Sequence, residues 1–231
     1  MKPLAGGLVA LTAALSVYAG GFQVQPVRLD LAAGQSNAVL TISNPSREPL
    51  LIQAEAFAWR QDAGGDVLEP TVALLLNPPI FEIAPGDSQL VRVGLRPGRS
   101  MATREASYRI WLSQLPGSEP DPAQGVRMLF RVSLPLFVTP SGPAQARADW
   151  VLEAGRLTVR NPGTRHLQVR SVRLTRTDGA SVSLPMRYAL AGAVAGWPLP
   201  AGWAGQTLAI EADTDAGMLK TRLDPGEGVP R

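Results

Sequence analysis

Catalysis needs groups that titrate, attack or coordinate, and this chain carries few of them. It has one histidine, His166, and no cysteine. His166 follows the turn Asn161-Pro162-Gly163 and reads as a surface residue at the start of a strand. No Gly-x-Ser-x-Gly elbow accompanies it, although spacing alone leaves a serine–histidine–acid arrangement open. Glu119, Asp121, Glu211 and Asp213 are too scattered to hold a metal, which needs clustered ligands. Gly64-Gly65 lacks the lysine and following helix of a phosphate cradle. No cofactor is expected, and these absences together favour a binding protein over an enzyme. The abundant reactive group is arginine: all but two of the 22 basic residues are arginines, the exceptions being Lys2 and Lys220. A guanidinium offers paired hydrogen bonds to a carboxylate and stays charged when partly buried. The arginines form no basic run, which argues against nucleic acid as a partner.

A second kind of chemistry lies in the backbone. Residues 126–138 are the longest β-like run of the chain. Val126, Met128, Phe130, Val132 and Leu134 alternate onto one face, and Arg127, Arg131 and Ser133 onto the other, with Leu129 an apolar exception. An edge strand of this pattern can join another molecule's sheet: its backbone supplies the ladder and its alternate side chains fill pockets. Each such side chain contributes roughly 1.5–3 kcal/mol when fully buried. The same alternation suits a strand that faces its own core, and alternation alone leaves both readings open.

The elements that must position these groups are β-strands. Residues 1–19 read as a cleaved secretory signal: Lys2, an apolar run over 4–17, then Val17-Tyr18-Ala19. The run is shorter and richer in glycine than a membrane span, which takes about 20 residues. No later stretch is long and apolar enough to span, so the mature chain is expected to be exported and soluble. Without disulfides it must rely on a hydrophobic core. Short apolar runs broken by proline and glycine predict strands over 22–31, 38–43, 50–59, 80–83, 90–95, 107–115 and 126–138, the count and density of an immunoglobulin-like sandwich. Residues 139–144, with two prolines and a glycine, read as a linker. A second, weaker β-rich unit is expected from strands over 148–153, 157–160, 167–174, 182–188, 207–210 and 218–223, with a proline-rich loop at 198–205. The expected division is therefore a signal at 1–19, a first domain at 20–140 and a second at 141–231.

Five motifs, in order, give the first domain a resemblance to the periplasmic chaperones of the chaperone–usher pathway. They are Pro26-Val27-Arg28-Leu29-Asp30-Leu31; Thr41-Ile42-Ser43-Asn44-Pro45; Asn77-Pro78-Pro79-Ile80-Phe81-Glu82-Ile83-Ala84-Pro85-Gly86; Arg104-Glu105-Ala106-Ser107-Tyr108; and Arg131-Val132-Ser133-Leu134-Pro135-Leu136-Phe137-Val138-Thr139-Pro140. The resemblance implies an all-β fold of two immunoglobulin-like β-sandwich domains set as a boomerang. It implies a periplasmic protein that lends a strand to pilus or fimbrial subunits and hands them to an outer-membrane usher. It assigns Val126, Met128, Phe130 and Val132 to the donor strand, and Arg28 to the cleft cation that grips the subunit's C-terminal carboxylate. The family's second cation, a lysine, falls where this chain has Pro135. Arg131, four residues earlier, is the expected substitute, with Arg109 a further one. Thr139 stands where many members carry an arginine that bridges to the second domain. The alternative reading is a periplasmic immunoglobulin-like binding module without an assembly role, for which Trp150, Trp197 and Trp203 would form a ligand platform.

Overall fold

The computed structural model describes residues 21–62, 65–96, 103–116, 128–153 and 155–229. The expected signal segment and Val126 lie outside the described residues. All described regular structure is β, and among these residues no helix is long and apolar enough to cross a membrane.

Residues 23–138 build one sandwich. Its strands are β1 (Gln23–Gln25), β2 (Leu29–Leu31), β3 (Asn37–Ser43), β4 (Leu50–Asp62), β5 (Gly65–Pro70), β6 (Leu74–Asn77), β7 (Ile80–Ile83), β8 (Ser88–Leu95), β9 (Ala106–Leu115) and β10 (Arg131–Val138). One sheet has the order β1-β3-β8-β6; the other runs β2-β10-β9-β4-β5, with β7 also paired to β4. Period-two alternation turns Leu40, Ile42, Val91 and Val93 from the first sheet towards Ile52, Ile110, Leu112 and Leu136 from the second, all of them fully excluded from solvent.

Residues 149–229 build another. Its strands are β11 (Asp149–Glu153), β12 (Arg156–Arg160), β13 (Leu167–Arg176), β14 (Ser181–Leu184), β15 (Arg187–Ala189), β16 (Val194–Pro198), β17 (Leu208–Thr214), β18 (Gly217–Leu223) and β19 (Gly228–Val229). The sheets are β16-β12-β11-β19 and β14-β13-β17-β18, with β15 on β13. Trp150, Trp197 and Trp203 belong to this core, at 1%, 1% and 8% exposure, and Trp150 and Trp197 stack on each other. The surface platform required by the binding-module reading is not formed.

The two sandwiches share a corner. Asn44 and Asn161 each open an Asn-Pro turn, and each is buried. Asn44 Nδ2 donates to the carbonyls of Glu48 and Ile83 at 2.7 and 2.9 Å; Asn161 Nδ2 donates to those of Arg165 and Ala189 at 2.7 and 3.0 Å. The main chain repeats the match. Gly86 and Asp87 pair with Asn44 as Gly192 and Ala193 pair with Asn161, at 2.8–2.9 Å. Both glycines have φ near +78°, which only glycine adopts without strain. The second unit carries few motifs in its sequence, yet it is locked by the same device.

Several expected boundaries change. The strand expected over 22–31 is split: Pro26 has no amide to continue a ladder, and the chain crosses from one sheet at β1 to the other at β2. β5, β6, β16 and β19 were not anticipated, and the strand expected over 182–188 is two, β14 and β15. His166 is not on the surface: it is fully buried between the two sandwiches.

Replacing Asn161 by Ala strands two backbone carbonyls and two amides that it now satisfies. Unfolding in urea should show a loss of more than about 2 kcal/mol, and an unchanged midpoint would remove the corner from the account.

Candidate functional site

The site is an edge of β10 and the sheet face beside it. Along one edge β10 is fully paired with β9, antiparallel, from Arg131↔Ser113 to Val138↔Ala106. Along the other it meets β2, in parallel, only at Leu136, Phe137 and Val138. Among the described residues no strand covers that edge over 131–134. The ladder fixes which groups are left. The carbonyl of Phe130 accepts from the amide of Gln114 at 2.9 Å, so alternate residues 132, 134 and 136 point their amides and carbonyls at β9. Arg131, Ser133 and Pro135 point theirs the other way. The amide of Thr139, donated to Leu31 at 2.9 Å, continues that outward series onto β2. Pro135 sits in the middle of a strand because the N–H it lacks would have faced the uncovered edge.

The expected donor residues lie along a gradient. Leu134 is buried in the first core, Val132 is partly buried against it, Phe130 is half-buried beside Gly21, and Met128 is 71% exposed. The alternation therefore serves both purposes that the sequence left open. The C-terminal part faces the protein's own core, and the N-terminal part emerges from it. Regular strand begins only at Arg131, later than expected.

The outer face of the same sheet carries the cations. Leu136↔Leu29 in β2 and Pro135↔Arg109 in β9 set Arg28, Pro135 and Arg109 in one row across the sheet, continued by Phe57 on β4. Arg28 donates from Nε to Asp30 Oδ2 at 2.8 Å and from Nη1 to Gln168 Oε1 of the second sandwich at 3.1 Å. Partial burial disfavours its charge, but the ion pair with Asp30 and hydrogen bonds to Asp30 and Tyr188 outweigh this and raise its pKa above the usual arginine value. Arg109 lies over the ring of Trp59, 3.8 Å from its centroid, with Tyr188 at 5.8 Å. Burial dominates there and lowers its pKa, against the charges of Asp66 and Tyr188. Arg131 is four residues further along β10, about 13 Å away. It donates to Ser113 Oγ at 2.9 Å and lies over Trp111, which packs on Phe57. Arg109, directly across from Pro135, thus stands nearer Arg28 than Arg131 does.

The second sandwich closes over this face. Trp59 and Phe137 pack with Tyr188 and Leu190. His166 stacks on Phe137 at 3.6 Å, and its backbone amide and Nδ1 both contact Glu105 Oε1, at 3.0 and 2.8 Å. Gln61 bridges to the carbonyl of Tyr188 and the amide of Leu190, both at 2.9 Å. These contacts join the sandwiches although Thr139 stands where many members carry the bridging arginine. Sequence reasoning missed His166, Glu105 and Gln61 as interface residues; each meets partners from the other sandwich, distant in the chain.

A family model described as pili and flagellar-assembly chaperone, PapD N-terminal domain, matches residues 21–144. The chain belongs to this chaperone family. The chaperone protein LpfB of Salmonella typhimurium is 29% identical over 138 residues, 58% of this chain and 56% of that one, so the match spans little more than half its length. The chaperone protein FimB/FhaD of Bordetella pertussis is 28% identical over 173 residues, 68% of this chain and 69% of that one. In fold the chain resembles a crystal structure of the CsuC–CsuE chaperone–tip adhesion subunit pre-assembly complex of Acinetobacter baumannii, with a TM-score of 0.67 at 16% identity over 89% of this chain and 98% of the other. The SafB chaperone complex with SafA pilin of Salmonella enterica gives 0.64 at 20% identity, covering 94% and 98%. The family match encompasses β10.

Phe137 is the residue on which the two sandwiches of this chaperone meet. Phe137→Ala should cost about 3–5 kcal/mol and separate one urea transition into two. A single transition at the native midpoint would show that the sandwiches are not coupled there.

Proposed function

We propose that this protein is a periplasmic chaperone, not an enzyme, that binds and folds pilus or fimbrial subunits by donor-strand complementation and delivers them to an outer-membrane usher. The observation that carries the reading is the one-sided ladder of β10 in a member of this family. The edge over 131–134 offers the amides and carbonyls of Arg131 and Ser133 in an extended line, which is what an incomplete sheet lacks. Next to it stand Met128 and Phe130, exposed and half-exposed apolar side chains that a subunit groove would bury.

In this reading residues 20–140 form the domain that holds the subunit and 141–231 a second domain, after cleavage of 1–19. Val126, Met128, Phe130 and Val132 enter the subunit's groove. Arg28 receives its terminal carboxylate. Arg109 supplies the second positive charge in the row interrupted by Pro135, and Arg131 a further one along the donor edge. A partly buried guanidinium suits this task because it keeps its charge where a lysine would be pushed towards neutrality.

Co-expression with a small secreted β subunit of a fimbrial fibre should give a soluble one-to-one complex. Met128→Asp should abolish it without changing the fold, since Met128 is exposed in the free protein. Arg28→Ala should weaken it by about tenfold or more, the worth of a charge-assisted hydrogen bond. Arg109→Ala should cost more than Arg131→Ala. Retention of full binding by Met128→Asp would refute the donor-strand assignment.

A further inference from the structure

Arg28 is held from both sandwiches. A guanidinium has five N–H donors, and a carboxylate can be taken either on the Nη pair or on the Nε side. Here the Nε side is occupied by Asp30, two residues along on the same face of the sheet. One Nη1 proton goes to the side-chain carbonyl of Gln168, at the start of β13 in the second sandwich. Gln168 is itself fixed. Its amide donates to Asp215 Oδ1 at 2.9 Å, and its carbonyl accepts from the amide of Asp215 at 3.1 Å. Asp215 lies in the turn between β17 and β18, so that turn brackets β13 at this residue and sets the reach of the glutamine. Neighbouring His166, buried against Glu105, pins the same end of β13 to the first sandwich.

We propose that Asp30 and Gln168 are positioning residues for Arg28: together they hold its guanidinium with the Nη edge turned to an incoming terminal carboxylate. The inference rests on the reading of Arg28 as the carboxylate anchor. A free arginine side chain loses about 2 kcal/mol of rotamer freedom when it binds. Two acceptors from opposite sides remove most of that freedom before the ligand arrives, so more of the contact appears as affinity. The Arg28–Asp30 pair is about one-third exposed and adds little stability of its own, so its effect is on orientation. The second domain thereby takes part in capture, through Gln168, without touching the donor strand.

The probe is a fluorescent eight-residue peptide of alternating valine and threonine, made once with a free C-terminal carboxylate and once as the amide. Binding to the full mature chain is followed by anisotropy. The ratio of the two affinities isolates carboxylate capture. The native protein should prefer the acid by about tenfold, the worth of a charged hydrogen bond, and Arg28→Ala should bring the ratio to one. Gln168→Ala and Asp30→Ala should each lower it to threefold or less, with thermal unfolding and amide-peptide affinity unchanged. Asp30→Asn, which keeps an acceptor for Nε, should retain most of it. If both alanine variants keep the full ratio while Arg28→Ala loses it, the positioning role is overturned. If Arg28→Ala keeps the ratio, or the native protein has no preference, the anchor reading falls and the positioning role with it.

Discussion

A β-strand with one edge paired and the other left open is unstable against association, and most proteins cover or blunt such an edge. β10 keeps its own open over residues 131–134. The ladder to β9 holds the strand rigid, and β2 covers only its last three residues. The open backbone is therefore extended and aligned before any partner arrives, so a partner strand meets little ordering cost on this side. The apolar gradient from buried Leu134 to exposed Met128 follows from the same placement. The chain enters the core from its exposed N-terminal end, and its inward side chains are buried as the strand approaches the segment paired with β2.

The face beneath this edge couples the two sandwiches to the same task. Phe137 lies on β10 and is the ring against which His166, Trp59 and Tyr188 pack. Arg28 lies on the chain leading into β2 and reaches Gln168 across the cleft. The strand that would donate, the cation that would anchor and the contacts that hold the second sandwich are thus consecutive parts of one sheet. A change in the angle between the sandwiches would move the acceptor at Gln168 relative to Arg28.

Much of this was legible in the sequence. Period-two alternation and proline–glycine punctuation located most of the strands, and the two-layer β architecture follows from them. The motif around Arg28 and the run through Pro135 marked both halves of the candidate site. Pro135 carried a further signal: a proline inside a strand run implies that its missing amide belongs to no ladder. What was not legible depends on contacts far apart in the chain. His166 looks like a turn-flanking surface residue until Glu105 and Phe137 close on it from the first sandwich. Arg109 and Arg131 cannot be ranked by spacing, because the register of β9 on β10 decides which one faces Pro135. β16 was hidden because its glycine, alanine and proline look like a loop, although Ala195 and Trp197 pair inward with the core.

Hydrogen exchange of individual amides in β10 tests the central claim most directly. In the free monomer the amides of Val132 and Leu134, bound to β9, should exchange slowly, while those of Arg131 and Ser133 exchange at rates near those of an exposed chain. On formation of a complex with a fimbrial subunit, Arg131 and Ser133 should become protected and Val132 and Leu134 should not change. Protection of Arg131 and Ser133 in the free monomer would mean that the edge is already occupied, and the account would be wrong.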